Sequence, residues 1–190
     1  MEDKNQLAID VINLTDRLLR EFADTNQSLA PRGIATRSLQ NWQPPSYGVV
    51  KINFDGAVFD SRTEMGAGVI ARDAAGECLA WRTRNFRFAA NPSLAESLAA
   101  REAIDLGIKE GWSNIILEGD YQSVINRLIG STEDFSTIGP VIADIHFMMR
   151  QVSHCNVEYI PRQFNSFAHK LARSATHNAE YRNHFPDFIL

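Results

Sequence analysis

Beyond residue 48 the spacing of apolar residues switches several times between two and three-to-four, and few folds accept the resulting order of elements. In VVKINFDGAVF, Val50, Ile52 and Phe54 alternate with Lys51, Asn53 and Asp55, the period of a half-buried strand. GAGVIARD and ECLAWRTRNF read as two more strands joined by a turn at Ala75-Gly76, so the first three are expected to form an antiparallel meander. SLAESLAAREAIDLGIKEG then repeats at helical spacing. Ser93 as N-cap with Glu96 three residues on would make a capping box, and Gly111 closes the helix. NIILEGD is a short strand, and YQSVINRLIG a short helix ended by Gly130. IGPVIADIHFMMRQV is a helix with Pro140 in its first turn, HCNVEYIPR a final strand and QFNSFAHKLARSATHNAE a final helix. Three strands, helix, strand, two helices, strand and helix make an α/β domain whose later strands run parallel through helical crossovers.

Ahead of this domain, Leu7, Val11, Leu14, Leu18 and Phe22 recur at helical spacing, which predicts a helix over residues 5–25. Residues 26–47 hold turn formers and the pair Pro44-Pro45, and read as a linker. The expected division is an N-terminal helix and linker over 1–47, a domain over 48–178 and a C-terminal tail over 179–190. Apolar residues are 44% of the 190, enough for one core, yet no run of 18 would span a membrane. The opening MEDKNQLAID has no basic start and apolar centre, so it does not read as a secretory signal. Cys78 and Cys155 fall in no CxxC or Cys/His pattern and read as buried thiols of a reducing compartment. Cytoplasm or nucleus is therefore expected rather than secretion. A net charge of −4 excludes a binder that relies on a large positive field. It does not exclude a nuclease whose carboxylates hold metal ions.

Three acidic residues are candidates for chemistry. Asp55 and Asp120 each end an apolar strand next to a glycine, where α/β sheets gather their binding groups, although strand-end aspartates also serve as caps and turn formers. At roughly 100° per residue, Glu96 shares a helix arc with Ala95, Ala99, Ala100, Ala103, Leu106 and Gly107. Arg101, Glu102, Asp105 and Lys109 fall on the opposite side. A carboxylate on a buried face needs a partner. Either the Ser93 backbone or a bound cation meets that need.

INFDGA on the first strand, AES opening the helix, LEGD ending the fourth strand and NSFAHKLAR in the last helix resemble ribonuclease H type 1. More narrowly, they are similar to the ribonuclease H-like domains of plants, including those ending plant non-LTR retrotransposon polyproteins. The resemblance covers residues 48–178. It implies a five-stranded mixed sheet of order 3-2-1-4-5 flanked by helices, with the extension before it. It further implies that Asp55, Glu96 and Asp120 hold two magnesium ions about 4 Å apart, with manganese as a substitute, and cut the RNA strand of RNA–DNA hybrids. The domain would act as a monomer.

Two positions depart from the family pattern. His169 stands where a fourth carboxylate is usual, and can move a proton or ligate metal but supplies no negative charge. Tyr121 follows the third carboxylate in place of a serine. For the substrate, the loop Ala89–Ser93 offers Asn91 and Ser93 as donors to 2′-hydroxyls, and Gln122 follows the third carboxylate closely. Trp81, Arg82, Arg84 and Arg87 offer a backbone track or a solvated strand face. A catalytically weak or inactive domain that binds nucleic acid or protein remains the alternative. A 3′–5′ exonuclease usually carries an Asp and a Glu two residues apart on its first strand; position 57 is alanine.

Overall fold

A computed structural model of the chain describes residues 42–59, 63–87, 91–130, 134–175 and 179–182. The helix expected over 5–25, most of the linker, loop residues 89–90, and residues 131–133, 176–178 and 183–190 lie outside the described residues. From Gln43 onward the described residues belong to one compact unit.

The strands are β1 (Val50–Val58), β2 (Glu64–Arg72), β3 (Cys78–Arg87), β4 (Asn114–Gly119), β5 (His154–Tyr159) and β6 (Ala179–Arg182). The helices are α1 (Pro92–Lys109), α2 (Gln122–Ile129), α3 (Gly139–Met149) and α4 (Ser166–Ser174). β1, β2 and β3 form the antiparallel meander, while β1, β4 and β5 run parallel. The first five strands stand in the expected order 3-2-1-4-5. A sixth strand adds to the outer edge: Ala179–Arg182 pairs antiparallel with Ala80–Thr83 of β3. The last helix was expected to run on to Glu180, but α4 stops at Ser174. Four residues gain more from pairing with an open sheet edge than from prolonging an exposed helix end, and the edge of β3 is covered in the process.

α1 packs on one face of the sheet, over Ile52 and Phe54 of β1 and Ala67 and Val69 of β2, and α2 and α3 complete that apolar core. α4 covers the opposite face. Gly66 and Gly68 of β2 allow this, since a Cβ on either would come within 2.2 Å of the α4 backbone. The period of two therefore describes β1 incompletely. Its polar residues are buried too, because α4 lies over them, and they are paired there. Asn53 donates to Glu118 at 3.0 Å and accepts from Arg72 at 2.8 Å, and Lys51 meets Glu118 at 2.7 Å. Buried polar groups persist only with partners of this kind.

The start of α1 also differs from expectation. Asn91, not Ser93, is the N-cap: its Oδ1 accepts from the Leu94 N–H at 2.8 Å, and Pro92 takes the first helical position. Proline lacks the N–H that would go unmet there, and asparagine ranks with the best caps. Glu96 thus lies beyond the reach of a capping box. At the other end Gly111, at φ +70°, closes the helix, with Gly111 N–H on Ile108 O and Trp112 N–H on Gly107 O.

The far side of α1 is not simply solvated. Glu102 and Asp105 face β3, where Arg82, at 0% exposure, bonds both at 3.0 and 2.7 Å. Arg84 meets Glu102 at 3.2 Å, Arg87 meets Glu64 at 3.2 Å, and Trp81 is buried. Arg82 and Trp81 therefore provide no backbone track, because α1 needs a buried countercharge for its acids where it crosses β3. No described helix is long and apolar enough to cross a membrane. Both cysteines are free and half-buried, and burial pushes their thiols up to about 11.

Candidate active site

Strand register creates the site. β1 and β4 are paired in parallel only as far as Asn53 and Glu118. Asp55 and Asp120 each lie two residues further on, at matching levels, where the two strands part. Asp55 does not end its strand, since β1 continues to Val58 along β2. What ends at Asn53 is the pairing with β4, and that gap is what opens a cleft at the carboxyl end of the strands. Gly119 holds β4 close to β1, as a Cβ there would sit 2.6 Å from the Phe54 ring.

The third carboxylate arrives from above. Gly56 has no Cβ, and one added there would lie 2.3 Å from the Ala95 carbonyl carbon, so the first turns of α1 rest directly on β1. This contact delivers Glu96 to the gap. One oxygen from each of Asp55, Glu96 and Asp120 lies within 4.8 Å of the others.

Asp55 is 1% exposed and Glu96 5%, so both are costly as anions. Burial, and then the charge of Asp120, push the Asp55 carboxyl up to about 6 against the opposing hydrogen bond from His169. Burial, followed by the charges of Asp55 and Asp120, pushes Glu96 up to about 9, although the Gly56 backbone N–H donates to it. Each of the three acids also keeps one buried oxygen without a hydrogen-bond partner: Asp55 Oδ1, Glu96 Oε2 and Asp120 Oδ2. Three convergent carboxylates with unmet oxygens fit a divalent cation. An all-oxygen donor set suits a hard ion such as magnesium or manganese.

α4 brings in the histidine. Asn165, fully buried at the start of that helix, donates Nδ2 to the Phe54 carbonyl at 2.8 Å and so fixes α4 against β1 beside Asp55. One turn later, His169 Nδ1 lies 2.9 Å from Asp55 Oδ2. Arg162, in the 3-10 turn Arg162–Phe164, has Nη2 at 3.3 Å from both ring nitrogens of His169. Its charge helps to lower both Asp55 and Glu96. Reading the sequence missed Arg162; the one available signal was a basic residue between the last strand and the helix that bears His169.

The expected substrate contacts are less concentrated. Asn91 is exposed with its Oδ1 committed to the helix cap. Ser93 Oγ lies 3.2 Å from the Tyr121 hydroxyl. Gln122 opens α2, donates to Asn126 at 2.8 Å, and lines an open groove of about 640 Å³ with Asn126, Arg127 and Phe135.

Compared with known families, residues 53–175 match the model described as reverse transcriptase-like, well over half the chain. The chain belongs to the reverse transcriptase-like family. No curated protein matches it. Among solved structures, this reverse transcriptase-like domain is similar to RNase H1 from the halophilic archaeon Halobacterium salinarum, at 24% identity and TM-score 0.58, over 67% of this chain and 96% of that one. It is also similar to the N-terminal RNase H domain of a Mycobacterium tuberculosis protein, at 22% identity and TM-score 0.61, over 67% and 92%. LC11-RNase H1, solved in complex with an RNA/DNA hybrid, is 20% identical with TM-score 0.59, over 66% and 95%. At these identities the likeness establishes that the reverse transcriptase-like domain has the ribonuclease H fold.

Proposed function

We propose that this domain is a metal-dependent endonuclease that hydrolyses the RNA strand of RNA–DNA hybrids. The observation that carries the reading is the trio Asp55, Glu96 and Asp120, which bring one oxygen each within 4.8 Å of the others and each keep a buried oxygen without a partner. These three would hold the cation, two magnesium ions or manganese in their place. When bound, such ions supply Lewis-acid activation of water and charge stabilisation at the scissile phosphate. The reaction adds water at phosphorus and breaks the bond to the 3′ oxygen.

The protein's own groups do the remaining work. Asp55, fixed on β1, and Glu96, seated through Gly56, orient the ligand oxygens. His169 accepts or delivers a proton at Nδ1 beside Asp55. Arg162 presents an exposed cation at the rim, suited to a phosphate oxygen. Asn91 Nδ2, Ser93 and Gln122 are the donors proposed for the hybrid. The hybrid bound to LC11-RNase H1 supports the hybrid as partner. The domain is proposed to work as a monomer inside the cell, in cytoplasm or nucleus, and to be related to plant ribonuclease H-like and retrotransposon domains.

The second reading is a weak or inactive domain that binds nucleic acid or protein. His169 favours it, because the position that usually adds a fourth negative charge carries an imidazole bonded to Asp55. A labelled RNA–DNA hybrid incubated with and without magnesium, alongside Asp55→Asn, separates the two. Magnesium-dependent cleavage by the natural chain and none by the variant supports the nuclease. Hybrid binding without cleavage in either protein supports the second reading.

A further inference from the structure

A hydroxyl pair joins the helix that carries Glu96 to the strand end that carries Asp120, and one of its members, Tyr121, has no part in the chemistry above. Tyr121 follows Asp120 and occupies the N-cap of α2, where serine or aspartate would hydrogen-bond a free N–H. Its side chain makes no such bond. Local helix stability is given up at this position, and the ring goes elsewhere. It packs against the apolar core, and its hydroxyl reaches Ser93 Oγ at 3.2 Å, three residues before Glu96. Ser93 is itself built into α1, since its carbonyl accepts from the Ser97 hydroxyl at 2.7 Å. Among the described residues, this is the one side-chain hydrogen bond between the first turns of α1 and the β4–α2 junction. A serine at position 121 would be too short to span to Ser93.

On the reading of the three carboxylates as metal ligands, we propose that Tyr121 is a positioning residue for the metal site. Its hydroxyl, braced on Ser93, holds Glu96 and Asp120 at their spacing before a cation binds. Glu96 and Asp120 sit on separate elements, yet their oxygens must stay within 4.8 Å of each other for both to reach one cation. A phenol ties them together without adding charge to the site, which a carboxylate or lysine in its place would do.

The test uses the full chain and Mn²⁺ as the probe, with free Mn²⁺ counted by electron paramagnetic resonance during titration. Tyr121→Phe keeps the ring and removes only the oxygen. It should weaken Mn²⁺ binding by roughly fivefold, the scale of one neutral hydrogen bond. Ser93→Ala should weaken it by a similar factor, and the double variant no further than either single one. A purely structural role would move the melting temperature and leave the Mn²⁺ affinity in place. Unchanged affinity in Tyr121→Phe, or losses that multiply in the double variant, overturns the positioning role alone. Absence of Mn²⁺ binding by the natural chain overturns the ligand assignment and this role together.

Discussion

Replacing Glu96 by glutamine should make the metal-free protein more stable at pH 8 while changing little near pH 4. In the folded chain Glu96 keeps its proton up to about 9, whereas the unfolded chain ionises it near the ordinary glutamate value of 4.5. Between those values the folded state binds more protons than the unfolded one. Stability is therefore fully present below the lower value and is lost as pH rises toward the upper one. Each pH unit in that window is worth about 1.4 kcal/mol, so the loss at pH 8 reaches roughly 4 to 5 kcal/mol. Asp55, raised to about 6, adds to the decline at its acidic end. Glutamine carries no charge at any pH and keeps an oxygen for the Gly56 N–H, so the variant should escape the Glu96 share. For a chain of this size the gain corresponds to a melting temperature about 10 °C higher at pH 8. Circular dichroism melts in chelator at pH 5 and pH 8 make the comparison. Added magnesium should stabilise the natural chain and not the variant. Parallel pH dependence in the two proteins would refute the reasoning, because it would mean that Glu96 ionises alike in the folded and unfolded chain.

Asp55→Asn and Asp120→Asn should each abolish magnesium-dependent hybrid cleavage while leaving stability equal or higher, because each removes one of the clustered charges; wild-type rates in either would count against a ligand role. His169→Asp should lower the magnesium concentration needed for half-maximal cleavage by restoring the missing charge, whereas an unchanged requirement in both His169→Asp and His169→Ala would make His169 a bystander. Gly56→Ala should destabilise the domain by about 2 kcal/mol and weaken Mn²⁺ binding, since a Cβ 2.3 Å from the Ala95 carbonyl carbon must push α1 and Glu96 off β1; a variant with normal stability and affinity would refute the seating of α1 through this glycine.

Residues close in sequence were read with least error, because period and turn chemistry are local. The existence of strand β1, the turn at Gly76 and the stop at Gly111 depend on a few neighbouring residues, and the structure has them. One error was local, since Asn91 rather than Ser93 is the cap, with Pro92 at the first helical position. The others fell where a distant partner decides: Glu102 turns inward because Arg82 of β3 lies beneath it. β6 formed where the α4 helix was expected to continue, because the edge of β3 was open.

The amino-acid sequence by itself determined the kinds and order of the elements from β1 to α4, and it singled out Asp55, Glu96 and Asp120, because apolar periodicity and a costly buried charge are properties of short segments. The strand order was legible through the resemblance to ribonuclease H type 1, since no local pattern says which strands become neighbours. Only the tertiary structure decided the rest. The parallel pairing of β1 with β4 ends at Asn53 and Glu118, and this register sets Asp55 level with Asp120. A one-residue slip would turn one of them to the other face of the sheet. The site also needs α1 seated on Gly56 and α4 fixed through Asn165, which brings His169 against an aspartate 114 positions earlier in the chain. Such contacts depend on shape and register across the whole sheet, and no stretch of sequence encodes them alone.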